Sequence, residues 1–143
     1  LNAEHSAIIL FAHGARDPEW AAPFWRMVAR IRQSRPGLKV ELAFLEFMQP
    51  ALAEAVAGVV AEGADSITLV PLFLAQGGHL KQDLPRLLDN IRHEFPGAQI
   101  EVSQAIGDSQ ALIGAIADWA LEQHLSSFSE SRCNTALIAT ESR

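Results

Sequence analysis

Four strand-length segments, the first a continuous apolar run, alternate with four segments whose apolar residues recur at helical spacing, and this alternation limits the chain to very few folds. Ala7–Ala12 reads as a first strand. Asp17-Pro18 then supplies a helix cap and a first-turn proline, Trp20, Phe24, Val28 and Ile31 follow at helical spacing, and Pro36-Gly37 stops that helix. Lys39–Leu45 is the second strand. Pro50 opens a helix with Leu52, Val56, Val59 and Val60 on one face and Gly63 as its C-terminal cap. Ser66–Leu74 is the third strand, followed by a helix from about Asp83 carrying Leu84, Leu87, Leu88 and Ile91 and ending at Pro96-Gly97. Ala98–Ser103 and Asp108–Gln123 complete the series, the last helix turning Leu112, Ile113, Ile116 and Trp119 or Ala120 inward.

Strands buried on both faces and joined by helices imply right-handed βαβ units. The expected fold is α/β: a three-layer α/β/α sandwich on a four-stranded parallel sheet, related to the flavodoxin type. One such domain spans residues 1–124. Residues 125–143 read as a polar tail, disordered or with a short edge strand at Thr135–Thr140. Ile31-Arg32, Pro36-Gly37 and Glu41-Leu42 recur in register as Ile91-Arg92, Pro96-Gly97 and Glu101-Val102, which divides the chain into two βαβα halves.

Composition narrows the function classes. With 49% apolar and 20% charged residues, the 143-residue chain has the make-up of a soluble globular domain. A formal charge of −6 argues against a nucleic-acid binder. No apolar stretch approaches the ~20 residues that span a bilayer, and Leu1-Asn2-Ala3-Glu4-His5 lacks the pattern of a signal peptide, so no membrane contact and a cytoplasmic location are expected. Cys133 is the only cysteine and reads as an incidental thiol, which excludes an internal disulfide and a cysteine-rich metal site. Neither Gly-x-Gly-x-x-Gly nor the P-loop pattern occurs, so a dinucleotide or nucleotide phosphate site has no support.

The residues that follow the strands carry the functional reading. His13 follows the first, Glu46 the second and, after a glycine-rich turn, His79 the third. In a parallel sheet all three emerge at the carboxyl edge, where a switch in strand order opens a crevice. Two imidazoles and a carboxylate suit a divalent transition metal. They equally suit proton transfer, since imidazole ordinarily titrates near neutral pH. Glu46 lies among Leu45, Phe47 and Met48, where a carboxylate needs a partner. Gly77-Gly78 signals either close approach of a flat or bulky ligand or a turn of positive φ. His5, His93 and His124, at a terminus or on helix ends, are given no role.

Three segments together bear a family likeness. His13-Gly14-Ala15-Arg16-Asp17-Pro18, Phe44-Leu45-Glu46 with Pro50 and Leu52, and Pro71-Leu72-Phe73-Leu74 with Gly77-Gly78-His79 and Asp83-Leu84-Pro85 resemble the signature segments of the class II tetrapyrrole metal chelatases, in particular the short, single-domain sirohydrochlorin cobaltochelatases. The likeness covers about Ile8 to Gln123. It implies insertion of a divalent metal (cobalt foremost, iron or nickel otherwise) into sirohydrochlorin or a related tetrapyrrole. The metal is then a substrate and no cofactor is tightly bound. It further implies that His13 and His79 bind the ion or take up the pyrrole protons, with Glu46 offsetting charge or orienting an imidazole. Gly14, Ala15, Gly77 and Gly78 would border the macrocycle, while Arg16 and Lys81, with Arg86 as a weaker candidate, would meet its carboxylates. The family carries Ser where this chain has Ala15, which removes one hydroxyl. Because related enzymes enclose the macrocycle between two such domains, a homodimer is expected.

Two rival classes remain at this stage. A histidine phosphatase would need Arg in the place of Ala12 to anchor phosphate. A metal carrier built on the same three residues would bind without turnover, and carriers usually use softer or more numerous ligands.

Overall fold

The computed structural model describes residues 3–75 and 77–140, with the side chains of His79 and of residues 130–140, Cys133 among them, outside the description. Its sheet contains β1 (Ser6–Ala12), β2 (Lys39–Phe44), β3 (Ser66–Pro71) and β4 (Gln99–Val102), all parallel, in the order β2-β1-β3-β4. This is the doubly wound order, which reverses direction between β1 and β3 and so creates a crevice beyond their carboxyl ends.

Asp17 caps a 3-10 turn over Pro18–Ala21, its carboxylate accepting from the Glu19 N–H at 2.9 Å, and α1 (Ala22–Ser34) continues from there. The helix α2 (Leu52–Ala61) starts where the Ala51 N–H donates to the Glu54 carboxylate at 2.9 Å. Gly63 ends it as expected, at φ 92°, with its N–H bonded to the Val60 carbonyl at 2.9 Å. Two packed layers result. Ile9, Phe11, Ala43, Ile67 and Leu69 meet Leu52, Val56 and Val59 of α2 and Leu84, Leu88 and Ile91 of α3 (Gly78–Glu94) on one side of the sheet. Leu10, Ala12, Val40, Leu42 and Phe44 meet Val28, with Phe24 and Ile31, of α1 on the other. The chain is thus a three-layer α/β/α sandwich.

The internal repeat has a structural counterpart. Arg32 of α1 donates to the Val40 carbonyl at 2.6 Å, and Arg92 of α3 donates to the Ile100 carbonyl at 2.8 Å, each reaching eight residues ahead into the next strand. Both helices end alike. The N–H of Arg35 bonds Ile31 and that of Leu38 bonds Arg35, while Phe95 bonds Ile91 and Ala98 bonds Phe95. A helix, an arginine tie and a Pro-Gly turn therefore recur sixty residues apart.

Several expected boundaries shift. β3 stops at Pro71 rather than Leu74, because β1 ends at Ala12 and the last bond between them is Leu72 N–H to the Phe11 carbonyl at 2.8 Å. Phe73 instead packs edge-on against Phe11, centroids 5.6 Å apart. α3 begins at Gly78, not Asp83, and Pro85 lies inside it. The Lys81 N–H closes the first turn of the helix on the Gly77 carbonyl at 3.3 Å, so the glycine pair leads directly into α3. The chain divides into two compact units, Leu1–Asp108 and Ser109–Arg143. The second is dominated by α4 (Gln110–Thr140), so the segment expected as a disordered or strand-forming tail is helical as far as Thr140. Leu112, Ile113, Ile116 and Trp119 share one stripe along α4. Helical spacing identified their common stripe, but spacing carries no information about what covers it. Among the described residues no helix is long and apolar enough to cross a membrane.

Candidate active site at the carboxyl edge

The parallel pairing of β1 and β2 runs on past both strands. Leu45 N–H bonds the Ala12 carbonyl at 2.9 Å and Glu46 N–H bonds the His13 carbonyl at 3.0 Å. Two residues that follow different strands are thereby held side by side. The His13 Nδ1 lies 3.5 Å from a Glu46 carboxylate oxygen and 3.3 Å from the Gly14 carbonyl oxygen. Their side chains are 52% and 47% exposed, so the pair faces open solvent.

Gly14 makes this approach possible. It adopts φ 91°, and a Cβ on it would fall 1.9 Å from the Glu46 carbonyl oxygen. That same carbonyl accepts from the Met48 N–H at 2.9 Å, an i to i+2 bond that closes a γ-turn around Phe47. Phe47 has φ 65°, the rare and strained sense of such a turn, and one a bulky residue seldom adopts. Its ring stands out to solvent with the Arg16 guanidinium 4.9 Å above its centroid. Beside it opens a cleft of ≈ 270 Å³ lined by Ala15, Arg16, Trp25, Phe47 and Met48 among others.

His79 lies beyond β3, second residue of α3, and therefore at the same edge of the sheet by its backbone position. Among the described residues no three metal-ligating side chains converge; His13 and Glu46 are the two brought together. Gly77 has φ −66° and neither Gly77 nor Gly78 adopts positive φ, so the turn that would need it is not formed. A Cβ at either would meet nothing within 4 Å. Lys81 is exposed on the first turn of α3, where it lines a separate cavity of ≈ 400 Å³ with Arg92 and Ser103, away from Arg16. Arg86 is exposed on the same helix. His5 and His93 direct Nδ1 at the carbonyls of Gly63 and Asp89. A larger cavity of ≈ 550 Å³ opens where the strands begin, against Ser6, Ser66 and Gln99, at the edge opposite His13.

Sequence reasoning passed over two residues here. The sequence marks Phe47 only as an apolar neighbour of Glu46, and its one signal is a large apolar residue just past a strand end. Gly107 fixes the loop after β3: its N–H bonds the Phe73 carbonyl at 3.1 Å, and a Cβ there would fall 1.8 Å from the Leu74 carbonyl oxygen. A glycine shortly after the fourth strand was the only trace of that approach.

Comparison with known proteins adds an independent line. The sequence pattern of the CbiX family matches residues 7–123. A sirohydrochlorin cobaltochelatase of Saccharolobus islandicus is 38% identical over 99 residues, covering 66% of this chain and 76% of that protein. A putative cobalamin biosynthesis CbiX protein from Marinobacter aquaeolei superposes with a TM-score of 0.74 at 31% identity, over 85% of this chain and 98% of that one. The sirohydrochlorin chelatase SirB from Bacillus subtilis, solved with cobalt, shares the fold at a TM-score of 0.70 and 23% identity, covering 82% of this chain but only 50% of SirB.

Proposed function

The chain belongs to the CbiX family, and on that premise we propose that it is a sirohydrochlorin chelatase, a lyase that inserts a divalent metal, cobalt foremost, into the macrocycle. The observation that carries the reading is the His13–Glu46 pair, held at the carboxyl edge beside the strand-order switch by the close approach of Gly14.

Insertion exchanges one dehydrated M²⁺ for two pyrrole protons. With the Nδ1–H of His13 donated to the Gly14 carbonyl at 3.3 Å and a Glu46 oxygen 3.5 Å from the same nitrogen, the imidazole lone pair lies on Nε2, available to hold the ion or to accept a pyrrole proton. The Gly14 carbonyl fixes that tautomer, and the Glu46 carboxylate offsets positive charge as the ion arrives. His79, at the same edge by chain position, supplies the second imidazole. Gly14, Ala15, Gly77 and Gly78 border the macrocycle, and the open space above the last two suits a bulky planar ligand. Arg16 and Lys81 meet its carboxylates from different sides. Cobalt, iron and nickel are all compatible with two imidazoles and a carboxylate, so the metal inserted follows supply and geometry. The metal is a substrate, with no resident cofactor.

The site is open, and this chain spans half of SirB. A cytoplasmic homodimer with facing crevices encloses the macrocycle in this reading. Anaerobic incubation of sirohydrochlorin with the protein and each metal in turn tests the function. Accelerated change of the visible spectrum over the protein-free rate, fastest with cobalt, is expected; rates equal to the protein-free controls for every metal would contradict it.

A further inference from the structure

Phe47 is the one described non-glycine residue held at positive φ, and it is held there beside Glu46 with its ring 56% exposed. An exposed aromatic contributes little to the fold, while a left-handed backbone at a bulky residue destabilises it. Strain of this kind persists where the exposed group has another use. The surroundings indicate which use. Arg16 stacks 4.9 Å over the ring, Trp25 of α1 is also exposed, and both aromatics line one cleft with Met48. Two π faces, a thioether and a cation form a wall suited to a flat conjugated ring that carries carboxylates at its rim.

We propose that Phe47 is a substrate-positioning residue: its ring packs against the plane of the macrocycle and holds the Arg16 guanidinium where a peripheral carboxylate meets it. The inference rests on the chelatase reading and adds a residue that holds the macrocycle beside the His13–Glu46 pair. No proton or metal passes through Phe47, so its effect falls on binding.

The test compares wild type with Phe47→Gly, Phe47→Ala and Phe47→Trp. Kd for metal-free sirohydrochlorin comes from spectral titration, KM and kcat from cobalt insertion, and Tm from thermal unfolding. Phe47→Gly and Phe47→Ala raise Kd and KM about tenfold with kcat changed less than about twofold, the scale of one lost aromatic stack. Phe47→Trp stays within about twofold of wild type. Tm of Phe47→Gly stays level or rises, since glycine accepts φ 65° without cost. Weaker binding together with an undiminished Tm separates positioning from structural support. An unchanged Kd in Phe47→Gly overturns the inference, as does a Tm that falls in step with binding. A wild-type protein that neither binds nor metallates sirohydrochlorin overturns the chelatase reading and this inference with it, whereas wild-type activity with an indifferent Phe47→Gly overturns the inference alone.

Discussion

At the residue scale, Gly14 organises the site. Its missing side chain admits the Glu46 carbonyl, that carbonyl closes the turn at Phe47, and the same approach sets the Glu46 carboxylate against His13. Gly14→Ala adds a left-handed penalty and a Cβ 1.9 Å from a backbone oxygen. We expect a loss of about 2–4 kcal/mol in urea-induced unfolding, with insertion activity falling further than stability alone explains. Activity and stability both near wild type would show that the approach is dispensable. The positions of His13 and Glu46 after their strands were legible in the sequence because strand ends follow from local apolar pattern. The φ of Phe47 was not, because it is set by contact between two loops that are distant in sequence.

At the element scale, the Arg32 and Arg92 ties carry a prediction of their own. Each guanidinium bonds a carbonyl of the next strand, one at the β2 edge of the sheet and the other at the β4 edge. Arg32→Met and Arg92→Met are each expected to cost about 1–2 kcal/mol, the range for charge-assisted bonds that are partly buried. Lying at opposite edges, they should add to within about 0.5 kcal/mol in the double variant, measured by urea unfolding. Strong non-additivity would mean the two halves are coupled beyond the shared sheet. The repeat was visible in the sequence as a recurring Ile-Arg and Pro-Gly spacing, but its cause was not, since a side chain reaching a carbonyl leaves no composition signal. The start of α3 was misplaced for a related reason. Gly77 and Gly78 are permissive, and whether glycine lies in a loop or a helix depends on the turn its neighbours close.

At the scale of the whole molecule, topology does most to place the site. The order β2-β1-β3-β4 brings the ends of β1 and β3 next to each other, with β2 flanking β1. Residues separated by more than thirty positions along the chain thereby share one edge. That outcome was legible from the strand–helix alternation, which admits few handed solutions. What covers the stripe of Leu112, Ile116 and Trp119 on α4 was not, because periodicity reports an apolar stripe and not its surroundings. The proposed homodimer also belongs to this scale. Sedimentation at assay concentration is expected to give a dimer, and a pure monomer that turns over at the full rate would contradict it.

The most direct test of the central claim is the initial rate of cobalt insertion into sirohydrochlorin under multiple turnover, for wild type beside His13→Ala and His79→Ala. The chelatase account predicts many turnovers per wild-type chain and a fall of at least about 100-fold in each variant, the range for losing a proton-transfer group, with circular dichroism unchanged. Undiminished insertion by either variant, or wild-type binding of metal and macrocycle without turnover, would contradict it.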